Sequence, residues 1–379
     1  MDVMRRAAEQ ERAGVHVVHM EVGQPGTPAP EAARAAARAA LDREPLGYTL
    51  ALGLPALRQR IARLYGEWYD LDLAPERVVV TTGSSGAFVL AFLALFDAGA
   101  RVALPAPGYP CYRHILSALG AVPVTIETGP DTRWMPTAGQ IGAEIGRGLQ
   151  GLLIASPANP TGTMLEPGRL AEIAGLCARE RVWFISDEIY HGLGYGLPQR
   201  TALAHDDDAI VINSFSKYFS MTGWRVGWMV VPARLVRTIE RLQQNLFIAP
   251  PAISQVAALG AFDALDELEA NKRVYAANRA LLLAELPRAG LTEIVPADGA
   301  FYLYCDVSAY TDDSLAFAQA MLEETGVAVT PGLDFDAARG HRFVRFSYSG
   351  TTADMAEAAR RLQAWGRLRG GQRGQTLRV

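Results

Sequence analysis

The chain has 379 residues, half of them hydrophobic and a fifth charged, with a formal net charge of −4. That length is too great for one small core and predicts two domains. The composition is that of a soluble globular protein, and the slight acidity gives no electrostatic case for nucleic-acid binding.

The N-terminus, "MDVMRRAAEQERAGVHVVHM", is charged early and never develops the apolar core of a signal peptide. The longest apolar run, "AFVLAFLALF" from Ala87, is about half of the ~20 residues needed to span a bilayer. Cys111, Cys177 and Cys305 are too few and too scattered for a disulfide framework or a metal-ligand pair. The expectation is a soluble cytoplasmic protein with no membrane, metal or nucleic-acid partner.

From about Arg77 to Val231, short β-branched runs alternate with longer amphipathic segments. "RVVVTT", "RVALP", "AVPVTI", "GLLIAS", "RVWFIS", "AIVINS" and "RVGWMVV" are strand candidates, continuous in apolar character and bounded by Gly, Pro, Asp or Asn. Strands buried on both faces have that pattern, and intervening helices complete βα units. The predicted fold class is α/β, a doubly wound, mostly parallel sheet spanning residues 40–265. A long helical stretch begins near Ile253, followed by the strand-like pieces "FYLYCDV", "VAVTP" and "RFVRFSYS" and a helix near "MLEETG". These predict a smaller α+β domain of residues 266–379, joined by residues 1–39, which have no core of their own. The basic stretch from Gly366 is expected to be a solvated tail.

In parallel α/β sheets, ligands sit outside the carboxyl ends of the strands. After "RVVVTT" comes "GSSGAF", where small residues let backbone N–H groups approach an anion at a helix N-terminus, although such turns also serve as plain caps. After "GLLIAS" comes "PANPTG", a rigid turn presenting Asn159. After "RVWFIS" comes "DEIYHG", where Asp187 needs either a helix N-terminus to cap or a cationic partner. After "AIVIN" comes "SFSKYFSMTGWR", which lacks the ending of a nucleotide-binding P-loop. Its serines and Arg225 suit a phosphate monoester, neutral donors plus one bidentate cation, leaving Lys217 free for other work. Two phosphate-binding turns, Asn159, Asp187, Tyr190 and Lys217 together match the needs of pyridoxal phosphate.

With "NPTG" and "SFSK…GWRVGW" in this order, the chain resembles the class I/II, fold-type I aminotransferases of the aspartate aminotransferase superfamily, from "EVGQPGTPAP" to "FVRFSYSG". The resemblance implies that Lys217 carries the Schiff base and acts as general base. Asp187 would pair with the pyridine nitrogen, while Tyr190 and Asn159 would bond the phenolic oxygen. Tyr109 would stack on the ring, and Ser84, Ser85, Ser214, Ser216 and Arg225 would hold the phosphate. Tyr48 would reach the phosphate in a partner subunit's site, implying a homodimer with shared active sites. Arg345 would grip the substrate carboxylate, with Asn159 and the Gly23 backbone nearby. The implied reaction moves an amino group between an amino acid and a 2-oxo acid. A C–S β-lyase on the same scaffold is the alternative, and a non-catalytic sensing domain a more distant one. No second arginine for a distal carboxylate is assignable, with Arg113, Arg273 and Arg279 as bare candidates. Tyr302, Phe247 and Trp228 would line an apolar pocket or belong to the core.

Overall fold

Burial on both faces shapes the larger layer of the molecule. The computed structural model of the chain describes residues 2–369. Most of the basic stretch, from residue 370 onward, lies outside the described residues. In chain order the strands are β1 Val18–His19, β2 Val78–Thr81, β3 Arg101–Ala106, β4 Val122–Glu127, β5 Gly151–Ala155 and β6 Trp183–Asp187. They continue as β7 Ile210–Ser214, β8 Gly227–Val230, β9 Tyr302–Asp306, β10 Val327–Ala328, β11 Thr330–Pro331 and β12 Phe343–Ser347.

Seven strands form one sheet in the order β2-β8-β7-β6-β5-β3-β4. Only β8 runs antiparallel to its neighbours, so the sheet is mostly parallel, as the apolar runs predict. Alternate residues feed two apolar layers. Val78, Val80, Phe184, Val211 and Trp228 face one layer, and Val79, Ile185, Ile210, Ile212 and Met229 face the other. With no solvent face, polar alternation has no place in these strands. Helix Gly83–Leu95 obeys the same logic, lying against β7, β8 and helix Ala233–Leu246.

The expected long helix near Ile253 is divided into Ala252–Ala261 and Leu265–Arg288 by a 3₁₀ turn, Phe262–Ala264. The break lets Phe262 pack against Phe215 and Phe219. In the C-terminal part, β9, β11 and β12 form an antiparallel sheet in the order β11-β12-β9. The N-terminal segment joins this part, since β1 pairs in parallel with β10 and helix Asp2–Arg12 packs on Ser314–Thr325. Helix Glu31–Arg43 packs instead on Ala252–Ala261, so a boundary at residues 39/40 falls inside that helix.

The chain passes from β3 outward to β4 and returns to β5 on the other side of β3. Strand order therefore reverses between β3 and β5, and a crevice at their carboxyl ends follows. The long helix Leu265–Arg288 is tied to the loop after β12 by Asn278, which is fully buried. Its Nδ2 donates to the carbonyls of Tyr348 (3.0 Å) and Gly350 (2.9 Å), and its Oδ1 accepts from Thr352 Oγ1 (2.7 Å). Asn278→Ala strands those buried groups, and chemical denaturation is expected to show a loss of about 2–4 kcal/mol.

Candidate active site

A cavity of about 290 Å³ opens at the strand ends. It receives Tyr109 from the loop after β3, Asn159 after β5, Asp187 and Tyr190 from the end of β6, and Ser216 and Lys217 after β7. Ser84 and Ser85 enter from the first turn of helix Gly83–Leu95, and Arg345 comes from β12 in the smaller sheet. Gly23 and Arg225 complete the predicted residues in the lining. Ser214 stands one layer behind, its Oγ accepting the Ser216 N–H at 3.1 Å and pairing with Ser216 Oγ at 2.9 Å. Tyr48 is not brought to this cavity, being 86% exposed on the surface.

Lys217 Nζ donates to the Gly23 carbonyl at 2.6 Å. Burial, then the charges of Arg345 and Arg225, bring its ammonium down to about 8, against the opposing pull of Asp187. A residue larger than glycine at position 23 would meet the Tyr302 hydroxyl at 2.3 Å from its Cβ. Asp187 is buried, its carboxylate accepting the Ile189 N–H at 3.0 Å and the Tyr112 hydroxyl. Burial pushes its carboxyl up to about 6, restrained by those two donors and by the Lys217 charge. Tyr190 and Tyr302 share a hydroxyl hydrogen bond of 2.7 Å.

Arg345 spans the two sheets. Its Nη1 donates to Asn159 Oδ1 (2.8 Å), and its Nη2 donates to the Glu21 carbonyl (2.7 Å) and Thr330 Oγ1 (3.2 Å). The guanidinium lies 4.4 Å from the Tyr302 ring centroid and 4.8 Å from that of Phe335. Its buried Nε has no hydrogen-bond partner, leaving a donor for an incoming anion. Arg345 also borders a second cavity of about 860 Å³, together with Gly23, Tyr109 and Arg113. Neither Arg273 nor Arg279 borders either cavity; Arg279 Nε donates to the Ala297 carbonyl at 2.6 Å. Trp228 is fully buried and donates to the Tyr65 hydroxyl at 3.2 Å, while Phe247 packs on the core. Both belong to the core, whereas Tyr302 lines the smaller cavity.

The donor set fits pyridoxal phosphate. At one end, Thr82 leaves the helix Gly83–Leu95 without a side-chain cap, so its first N–H groups remain free to bind an anion beside Ser84, Ser85, Ser216 and Arg225. Gly83 has φ +69°, and a Cβ there would meet Arg225 Nη2 at 2.4 Å. Only glycine admits the guanidinium to that helix end. Deeper in, Asp187 makes no ion pair among the described residues, so its carboxylate is available to a protonated ring nitrogen. Tyr112 and Thr222 also line the cavity and were not foreseen from the sequence. The spacing of Tyr112 from Tyr109, one helical turn, was the available signal.

A buried network lies behind the cavity. His191 is kept neutral, its imidazolium brought down to about 4 by burial. A carbonyl can only accept, so Nε2 donates to the Ser156 carbonyl (3.0 Å), and Nδ1 accepts the Tyr69 hydroxyl (2.6 Å). His191 thereby ties the loop carrying Asn159 to the one carrying Tyr190. Its neighbour Glu188 accepts from Ser186 Oγ (3.0 Å) and the Ala202 N–H (2.9 Å), while its Oε2, with no hydrogen-bond donor, lies 3.5 Å from His191 Nδ1. Burial pushes this carboxyl from an ordinary 4.5 up to about 8. A raised carboxyl keeps its proton longer folded than unfolded, so its contribution to stability falls as pH rises from 4.5 through about 8. Glu188→Gln should match wild type near pH 5 and exceed it by on the order of 2–5 kcal/mol near pH 9. Chemical denaturation at the two pH values checks the sign.

Comparison with known proteins agrees with this geometry. The family model for aminotransferase class I and II matches residues 15–362. A valine–pyruvate aminotransferase from Mycobacterium tuberculosis is 53% identical over 369 residues, covering 96% of this chain and 95% of the relative. A crystal structure of an aminotransferase from Mycobacterium tuberculosis superposes with a TM-score of 0.94 at 52% identity, covering 96% of this chain and 95% of that one. The aspartate aminotransferase of Thermus thermophilus, solved with maleate, gives a TM-score of 0.90 at 31% identity with the same coverage. The chain therefore belongs to the class I and II aminotransferases and is a pyridoxal-phosphate-dependent transaminase.

Proposed function

We propose that this aminotransferase transfers the amino group of an amino acid with an apolar side chain to a 2-oxo acid such as pyruvate, with Lys217 at the reacting carbon. The observation that carries the reading is the shared cavity, in which a lysine of depressed basicity meets Asp187, Asn159 and Arg345. The second cavity, walled by Val22, Ile115, Leu333 and Phe335 beside Arg345, supports the apolar side chain. So does the name of the 53% identical relative.

Bound pyridoxal phosphate supplies an aldehyde for a lysine amine and a cationic ring that spreads the electrons of a broken Cα–H bond. Arg345 binds the α-carboxylate, with its unpartnered Nε and with donors it now spends on protein oxygens. That grip orients the Cα–H bond toward Lys217 Nζ. Lys217 Nζ, brought down to about 8, is neutral in a useful fraction near neutral pH and takes the Cα proton. Asp187 would pair with the cofactor's protonated ring nitrogen. The Asn159 side chain and the Tyr190 hydroxyl would bond the cofactor's phenolic oxygen, and Tyr109 would stack on the ring. Ser84, Ser85, Ser216 and Arg225 would hold the phosphate, with Ser214 bonded to Ser216 from behind.

Two copies form the working unit. Tyr48 (86% exposed) stands with Leu50 (62%), Leu246 (50%) and Ile248 (49%) among the large apolar side chains left in solvent. That exposure supports a homodimer in which Tyr48 completes the partner's phosphate site. Three unpaired cysteines support a reducing, cytoplasmic setting.

Borohydride treatment of the cofactor-loaded protein should fix the cofactor's mass on a peptide containing Lys217. Lys217→Ala should lose about 10³-fold or more in kcat, since it removes both covalent attachment and the base. The rate at which cofactor-free protein reacts with pyridoxal phosphate should rise through about pH 8, the value set by burial and the arginines, and not near 10.5. Wild-type turnover in Lys217→Ala would sink the assignment.

A further inference from the structure

The second cavity meets the first at Gly23, Tyr109 and Arg345, which border both. An amino acid with its carboxylate on Arg345 and its amine at Lys217 has this space for its side chain. Most of its lining is apolar, including Val3 and Met4 from helix Asp2–Arg12 and Leu315 from helix Ser314–Thr325. One wall is charged. Glu21 is only 8% exposed and borders the cavity. Its own carbonyl accepts Arg345 Nη2, which fixes the residue beside the carboxylate anchor.

The Glu21 carboxylate is incompletely satisfied. Oε1 faces His19 Nδ1 at 2.8 Å, while Oε2 is buried with no partner. The other ring nitrogen of His19 faces Glu11 at 3.1 Å. One histidine is thus shared between two carboxylates, of which only Glu21 borders the cavity. A buried carboxylate oxygen without a donor is costly. Arg113 and Asp334 also border the cavity; Arg113 Nη2 donates to the Asp334 carbonyl at 3.0 Å. Their side chains bring one cation and one anion; His114 also borders the cavity, and the cavity's remaining cation, Arg345, is the one assigned to the α-carboxylate, which leaves Glu21 facing the side chain.

We propose that Glu21 is a specificity-determining residue whose carboxylate repels amino donors and 2-oxo acids bearing an anionic side chain, leaving the cavity to apolar ones. The inference rests on the assignment of Arg345 as the α-carboxylate anchor. Discrimination of this kind works by placing a repulsive charge against the wrong ligand, without requiring tighter contacts to the right one.

The test uses cofactor-loaded wild type, Glu21→Gln and Glu21→Leu. Two measurements are made on each: the ratio of kcat/KM for aspartate to that for valine, and the affinities for succinate and 3-methylbutanoate by calorimetry. Removing a charge at this range should raise the aspartate-to-valine ratio and the relative affinity for succinate by about tenfold or more. The isosteric glutamine variant isolates charge, and the leucine variant covers the case in which glutamine disturbs the fold. Ratios unchanged within about twofold in a folded variant would overturn the role of Glu21. So would a wild type that prefers succinate and loses that preference in Arg113→Gln, because Arg113 would then set the selectivity. If no amino donor were turned over, the apolar-donor function would fall, while the succinate measurement would still decide Glu21.

Discussion

Two cations share one largely enclosed space in this protein, and the rest of the site answers to that fact. Arg345 and Lys217 border the same cavity, with Arg225 adding a third positive charge toward its far end. A guanidinium does not give up its proton in a protein, whereas an ammonium on a flexible stem does. Mutual repulsion and burial therefore act almost entirely on the lysine. Asp187 opposes them, but burial has weakened that carboxyl too, so it only moderates the effect. The arginines, whatever they bind, thus lower the basicity of the amine.

The same residues join the two parts of the fold. Lys217, after β7, reaches the carbonyl of Gly23 in the N-terminal segment, and Arg345, on β12, reaches Asn159 after β5. Each contact crosses from the large sheet to the smaller unit, and each uses a group with a catalytic or binding assignment. A substrate carboxylate that draws on Arg345 must compete with Asn159 and the Glu21 carbonyl for the same donors. With Arg345 as the proposed carboxylate anchor, substrate binding would be coupled through these hydrogen bonds to the contact between the two units.

Residues on the large sheet were legible in the sequence because their context is local. Each follows a continuous apolar strand, and the parallel topology sends every such strand end to one crevice. Arg345 had no such signal. Its strand is short and antiparallel, and its route to the cavity depends on how the smaller unit packs, so only the family resemblance singled it out. Tyr112 escaped notice because its partner, Asp187, lies 75 residues away in sequence. The requirement for glycine at position 83 was hidden for the same reason, since the side chain it makes room for is Arg225. The helix break at Phe262 follows from tertiary packing of aromatic rings, which no local propensity encodes.

Chemistry and selectivity occupy different materials in this molecule. The groups assigned to bond breaking stand at the ends of strands buried on both faces, where neighbouring strands leave little freedom to drift. The groups bordering the larger cavity come from the N-terminal helix, the helix Pro110–Ala118 and the smaller unit. Gly23, Tyr109 and Arg345 border both cavities, whereas Val3, Met4 and Leu315 border only the larger one. A fold that fixes the reacting atoms leaves the admission of substrate to be set at a separate wall, and in this chain that wall contains a carboxylate.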